Sequence, residues 1–429
     1  MTQTARLGWC ASNWSASMAE TTIRELADSG ALTFGDGYRT KRGEHGTPGF
    51  RILRVADVAD GRVHLDSPDF VSEEYARAIG SKLSQTGDVL LTTKGTVGRV
   101  AIYPTNAERS VYSPQLCYFR VLQPNVIDPR YLSYWFKSEA FVRQAAHRAN
   151  NTDMAAYINL RDIASLTLDL PGAQEQRAIA EVLGALDDKI AANQRAVQLA
   201  DELARAEFRA RLTSVQHLAT TTLGTLVAEG VLELGDGYRT KRSEHADAGY
   251  RIVRAGDVTD GEVQLTGTDY VSADYEKQIG RKRVMPGDVV LTTKGTVGRV
   301  AVVPPEIEPA TYSPQLCFFR VLDQARLSAS YLAGWFKSDD LQAQIAVRMF
   351  KSDMAPYVNL QDIRTLEIPA LDFLTQSEVG ERQRVLQDFI HSAQRESDRL
   401  AAARDELLPL LMSGRIRVKD AEKSVEELL

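Results

Sequence analysis

The strongest constraint on this chain is that it contains itself. Gly87–Ala101 reads GDVLLTTKGTVGRVA, and 200 residues later Gly287–Ala301 reads GDVVLTTKGTVGRVA. The same offset aligns GDGYRTKR at Gly35–Arg42 with Gly235–Arg242, YSPQLC at Tyr112–Cys117 with Tyr312–Cys317, and YLxxWFKS at Tyr131–Ser138 with Tyr331–Ser338. Residues 31–160 align with 231–360 without a gap, at 69 identities in 130 positions. A period this long is no solenoid unit; it is a whole domain written twice. Whatever one copy does, the chain does at two like sites.

Within a copy, Gly35 and Gly37 around Asp36 favour a tight turn. It presents Tyr38, Arg39, Lys41 and Arg42, with Glu44 and His45 beyond. Such a cluster suits phosphates or base edges, and it is equally the composition of a solvated surface loop. Phe50–Val55 reads as a strand, Asp57–Gly61 as a turn and Arg62–Leu65 as a returning strand. Asp57 and Asp60, repeated as Asp257 and Asp260, suit turn formation. Val89–Leu91 and Val100–Tyr103 read as strands joined through Thr92, Thr93, Lys94 and Arg99, with Gly95 and Gly98 serving the turn. The lysine precedes the glycines, so this is not a P-loop. Two hydroxyls and two cations there can contact nucleic acid. Ser113 and Gln115 open the next strand candidate, Tyr112–Val121; Gln115 can read an adenine edge or close a loop. The counterparts are Tyr238, Arg239, Lys241, Arg242, Thr292, Thr293, Lys294, Arg299, Ser313 and Gln315. Tyr131–Ala146 has helical spacing through Leu132, Trp135, Phe136 and Val142. Tyr157–Leu160 and Leu166–Leu170 read as closing strands.

A different pattern follows each copy. Ile179, Leu183, Leu186, Ile190, Val197, Ala200 and Ala204 alternate four and three apart, interrupted by Asn193 on the same stripe, as in a coiled-coil seam. Leu386, Phe389, Ala393, Leu400, Ala403, Leu407 and Leu410 repeat the stripe, with Pro409 expected to kink or end the last turn. The expected class is α+β: two similar mixed α/β domains separated by two long antiparallel coiled-coil helices. The expected boundaries are 1–173, a helical spacer 174–214, 215–373, a second spacer 374–416, and a charged, fraying tail 417–429.

A net charge of −6 gives no bulk attraction to nucleic acid, so any such binding needs a locally positive face. Three cysteines make no disulfide framework; Cys117 and Cys317 sit in apolar runs as core thiols of a reducing, cytoplasmic protein, and Cys10 stands apart. No apolar run is long enough to cross a membrane, and the signal-peptide pattern is missing. No metal-ligand spacing, catalytic triad or cofactor loop stands out.

Taken together, these stretches resemble the specificity subunit of type I restriction-modification systems over nearly the whole chain. Gly87–Ala101 resembles the strand–turn–strand segment of that family's target recognition domains. Pro171–Leu183 (PGAQEQRAIAEVL) resembles its boundary motif, and Leu407–Ile416 (LLPLLMSGRI) its C-terminal ending. Pro369–Leu386 departs from the boundary motif, with Glu381 and Gln383 displaced by extra residues. The resemblance implies two DNA-reading domains, no catalytic centre and no cofactor in this subunit. S-adenosylmethionine is expected in an adenine-methyltransferase partner, with a restriction subunit as a further partner. The paired stripes between like domains suggest docking of two methyltransferase copies. The family's reading residues vary between members, so the candidate face on double-stranded DNA rests on local chemistry and duplication. An enzyme with duplicated active sites and a scaffold that reads no DNA are the alternatives. Two like domains on antiparallel helices predict a bipartite, near-palindromic target. A helix of roughly 55 Å limits the separation to about 16 base pairs. Differences such as His64 against Gln264, Ser81 against Arg281 and Asn151 against Lys351 make one half-site diverge.

Overall fold

The apolar run after Gly87 forms strand Val89–Thr92, buried at all four positions. It sits inside a four-stranded antiparallel sheet in the order Leu32–Asp36, Leu116–Val121, Val89–Thr92, Val100–Ile102. A strand covered on both faces shows a continuous apolar run in place of alternation. Val89, Leu91, Cys117 and Phe119 share one core with Trp135, Phe136 and Phe141. Leu90, Leu116 and Tyr118 join the opposite one with Tyr103 and Tyr112. A second sheet pairs Gly49–Leu53 antiparallel with Phe70–Ser72 and parallel with Ser110–Tyr112. Ala19–Thr22 pairs with Thr167–Leu170 to close the domain. The second copy keeps the register: Cys317 lies opposite Leu291 as Cys117 lies opposite Leu91.

This computed structural model describes residues 19–148, 157–214, 219–259, 261–349 and 357–428. Cys10, Asn151, Asp260 and Lys351 lie outside them. The chain divides into two compact units, 1–191 with 398–429, and 192–397. Two long helices, Ala173–Thr213 and Phe373–Met412, each give one half to each unit. Within unit 192–397, Asn193 Nδ2 meets Glu396 at 2.8 Å and Arg211 meets Glu378 at 2.8 Å, so the two segments run antiparallel. Within the other unit, Ile179, Leu183 and Leu186 pack with Leu400, Leu407 and Leu411. There Arg404 pairs with Asp187 at 2.7 Å. Asn193 is buried in the seam, a polar position that specifies register in packed helices.

Several local expectations change. The second seam passes through Ile390 and Leu411, one residue beyond Phe389 and Leu410, leaving Phe389 48% exposed. The helix continues through Pro409 to Met412 before Gly414 turns left-handed at φ 65°. Tyr131–Ala146 is two helices, Pro129–Trp135 and Glu139–Arg148. Ser138 stands between them; its Oγ donates to Trp135 O and accepts from Phe141 N. Tyr157–Leu160 is no strand, because the Asn159 side chain accepts from Asp162 N and starts helix Leu160–Ala164.

The boundary motif of the second copy is not displaced. Gln176 Oε1 accepts from Asp128 N, and its Nε2 donates to Val126 O and Pro171 O. Gln376 does the same with Ser328 N, Arg326 O and Leu371 O. The equivalent of Gln176 is therefore Gln376, in unbroken register, and Gln383 belongs to the seam. The charged tail does not fray: Val418–Glu426 is a helix whose Ala421 and Val425 are buried among Ile179, Leu183 and Leu407.

Candidate nucleic-acid interface

The expected tight turn at Gly35–Gly37 is not formed: Gly35 and Asp36 end strand Leu32–Asp36, and the GDGYRTKR stretch runs on from it against Tyr112 and Ser113. A Cβ on Gly37 would lie 2.1 Å from Ser113 O, so only glycine fits. Tyr38 N donates to Tyr112 O at 2.7 Å. Lys82 Nζ clamps the stretch through Asp36 Oδ1 at 3.1 Å and Gly37 O at 2.9 Å. The Tyr38 hydroxyl donates to Glu44; burial first, then this carboxylate, pushes its pKa up. Tyr38 is thus a half-buried support, and Arg39, Lys41 and Arg42 are left exposed on that stretch. Tyr238, Lys282, Asp236 and Gly237 repeat the arrangement beneath exposed Arg239, Lys241 and Arg242.

The turn at Thr92–Arg99 corrects part of the candidate set. Thr92 Oγ1 accepts from Arg99 N at 2.9 Å, and Thr93 Oγ1 donates to Gln115 O at 2.9 Å. Thr292 and Thr293 make the same bonds with Arg299 N and Gln315 O. All four threonines are buried, as are Ser113 and Ser313. These side chains shape the turn from inside and are not surface contacts. Gly95 and Gly98 take φ values of 80° and 100°, which bring the chain around with Lys94 outward. Lys94 Nζ lies 5.8 Å from the centre of the Tyr157 ring.

Lys94, Arg99 and Gln115 meet at an open cleft of about 660 Å³, with Arg54, Val55, Ala56, Gly95 and Thr96 completing its lining. Arg54 is a residue that sequence reasoning missed. It directly follows strand Gly49–Leu53, its backbone N donating to Asp57 Oδ2, and its guanidinium pairs with Asp69 at 2.5 Å. Arg99 is half-buried, with Nη1 at 3.5 Å from Val58 O. Arg39, Lys41 and Arg42 lie outside this lining.

A buried network fixes the strands of the four-stranded sheet. Asp88 receives Arg120 Nε at 2.8 Å, Arg120 Nη2 at 2.7 Å and the Tyr112 hydroxyl at 2.7 Å. Asp288, Arg320 and Tyr312 repeat it. Burial, then the Asp88 charge, pushes the Tyr112 phenol strongly up, so it stays a donor. The signal for Arg54, Lys82, Asp88 and Arg120 was present: each is identical at the 200-residue offset.

Among the described residues there is no cluster of metal-ligating side chains, and no helix is long and apolar enough to cross a membrane. Two like domains with exposed basic loops, joined by long helices, define a tandem recognition protein. Residues 24–199 match the type I restriction modification DNA specificity domain. The chain is 22% identical over 398 residues to a putative type I restriction enzyme specificity subunit, MjaX, of Methanocaldococcus jannaschii, covering 86% of this chain and 88% of that protein. It is 21% identical over 442 residues to the EcoBI specificity subunit of Escherichia coli, covering 94% and 86%. Its fold is similar to the S subunit of a type I system from M. genitalium, with a TM-score of 0.61, 16% identity and coverage of 93% and 97%. Residues 24–199 thus carry the similarity to the DNA specificity domain, and over most of its length the chain resembles the specificity subunits of type I restriction-modification systems.

Proposed function

We propose that this subunit reads DNA for a type I restriction-modification complex, with each domain laying the rim of its cleft on the duplex. The observation that carries the reading is the duplicated set of cleft cations, Arg54, Lys94 and Arg99 with Arg254, Lys294 and Arg299, beside exposed Gln115 and Gln315. Cations of this kind fix a protein on phosphates, and a neighbouring amide or guanidinium reads base edges. The chain itself does no chemistry in this reading. Its partners methylate adenine with S-adenosylmethionine and, with a restriction subunit, cleave. Two methyltransferase copies dock on the helix pair. The target is bipartite and near-palindromic, because like domains carried by antiparallel segments read like sequences on opposite strands.

The test is a set of binding isotherms on the assembled complex at several salt concentrations. Lys94→Ala and Lys294→Ala should each leave the fold intact, weaken specific and non-specific binding alike, and lower the salt slope by about 1. Unchanged affinity and slope in both variants would remove these lysines from the DNA face. A methylation motif whose half-sites lack an inverted-repeat relation would refute the near-palindromic arrangement.

A further inference from the structure

The frame of the first domain's cleft is repeated in the second copy. Arg54 N donates to Asp57 Oδ2 at 2.7 Å, and Arg254 N to Asp257 Oδ2 at 2.8 Å. Arg99 Nη1 reaches Val58 O at 3.5 Å, and Arg299 Nη1 reaches Val258 O at 3.5 Å. Arg54 pairs with Asp69, and Arg254 with Asp269. Each charged or polar lining side chain has an identical residue in the second copy. Between the first cleft's lining and its equivalents in the second copy, two adjacent positions on one 3-10 turn differ: Val55–Ala56 against Ala255–Gly256. Val55 and Ala255 are half-buried, and Ala56 and Gly256 are exposed. Valine to alanine removes two carbons and alanine to glycine one, so the second turn has three fewer side-chain carbons.

We propose that this pair of positions sets the difference between the two half-sites. The inference rests on the reading of these clefts as DNA-facing. Shared cations and amides give both domains the same phosphate and polar contacts, so those groups cannot distinguish one half-site from the other. The apolar atoms can. Base edges differ in the major groove by one apolar group, the thymine C5-methyl, which apolar side chains contact. Ala56 exposes a methyl at that rim and Gly256 exposes none. The first domain therefore favours a thymine-bearing pair at the base step facing the turn, and the second tolerates other pairs there.

The discriminating variants are Gly256→Ala and Ala56→Gly. A Cβ on Gly256 meets nothing within 4 Å, so the substitution adds one methyl to open space without disturbing the fold. The measurement uses the full chain assembled with its methyltransferase. Methylation rates are compared on duplexes carrying each of the four base pairs at every position of each half-site. Gly256→Ala should create a thymine preference of about fourfold at one position of the second half-site, the effect of burying one methyl-sized group. Ala56→Gly should relax the matching position of the first half-site by a similar factor. Unchanged preferences in both variants, with Lys294→Ala still weakening binding, would mean that the cleft meets DNA but this turn does not read it. If Lys294→Ala and Lys94→Ala also bind DNA normally, the cleft does not face DNA, and this inference falls with that reading.

Discussion

Replacing Asp88 with alanine should unfold the first recognition domain locally at a cost set by its buried partners. The carboxylate is 1% exposed and accepts from Arg120 Nε, Arg120 Nη2, the Tyr112 hydroxyl and Gln85 N, at 2.7 to 2.9 Å. The Arg120 side chain is only 11% exposed, so water cannot replace the lost acceptor. Removing one member of a buried pair costs about 3–5 kcal/mol, because the other charge stays buried and unpaired. Arg120 keeps carbonyl acceptors at Ser81 and Leu83, which points to the lower end, about 3 kcal/mol. That is a large share of the roughly 5–15 kcal/mol by which a domain is stable. Asp288→Ala should cost less, since Arg320 is 20% exposed and can reach solvent. Hydrogen exchange of segments 83–121 and 283–321 in the full chain separates the two domains in one sample. Because Tyr112 O holds Tyr38 N, the same variant should loosen the GDGYRTKR stretch. Asp88→Ala with Arg120→Met should recover much of the loss by removing the orphaned charge. Unchanged protection of 83–121 in Asp88→Ala, or equal loss in the single and double variants, would refute the reasoning.

Gln376→Ala removes three hydrogen bonds that tie the start of the second long helix to residues 326–328 and Leu371. It should destabilise unit 192–397 by about 1–3 kcal/mol, seen as faster exchange at 326–328, because buried backbone groups lose their partner. A pH titration should show alkaline destabilisation. Tyr112 and Tyr312 have pKa values raised above 10.0 by burial first and then by Asp88 or Asp288. Their contribution is therefore complete below pH 10 and lost as pH rises above it, when the unfolded chain releases the protons and the native state does not. Absorbance at 295 nm should show these phenols ionising only with unfolding; early ionisation in the folded protein would contradict their burial.

Strands and repeat were legible because a buried strand is written as a continuous apolar run, and two copies vote on every position. The Ser138 break in Tyr131–Ala146 was not, because YLSYWFKS keeps helical apolar spacing while Ser138 Oγ intercepts the backbone between two helices. The second seam was read correctly at Ala393, Leu400 and Leu407 but one residue early at Phe389 and Leu410, because their neighbours Ile390 and Leu411 are equally apolar and packing alone chose them. Gln376 was overlooked because a motif comparison favours adjacent Glu-Gln letters, whereas the structure uses a single amide at a fixed offset. In the site, chemistry by residue type picked out Lys94, Arg99 and Gln115, which line one cleft. It failed for Thr92, Thr93 and Ser113, whose hydroxyls are as suited to an internal turn as to a base edge.

Drift between the copies separates folding constraints from ligand constraints. Residues 91–100 and 291–300 are identical at all ten positions, whereas 121–130 and 321–330 share two. Burial explains Leu91, Thr92, Thr93 and Val100, and left-handed φ explains Gly95 and Gly98. Neither explains Lys94 and Thr96, which are exposed in both copies. The fold tolerates change at a comparable exposed site: Ser81 is Arg281, beside the same lysine clamp. Arg39, Lys41, Arg42 and Gln115 are likewise exposed and unchanged. Under the proposed reading, this exposed identity reflects a ligand that both domains meet in the same way. A phosphate backbone is such a ligand, because it repeats regardless of sequence. Val55–Ala56 against Ala255–Gly256 is then where divergence is expected, on the wall of the cleft where a base edge, unlike a phosphate, can differ between half-sites.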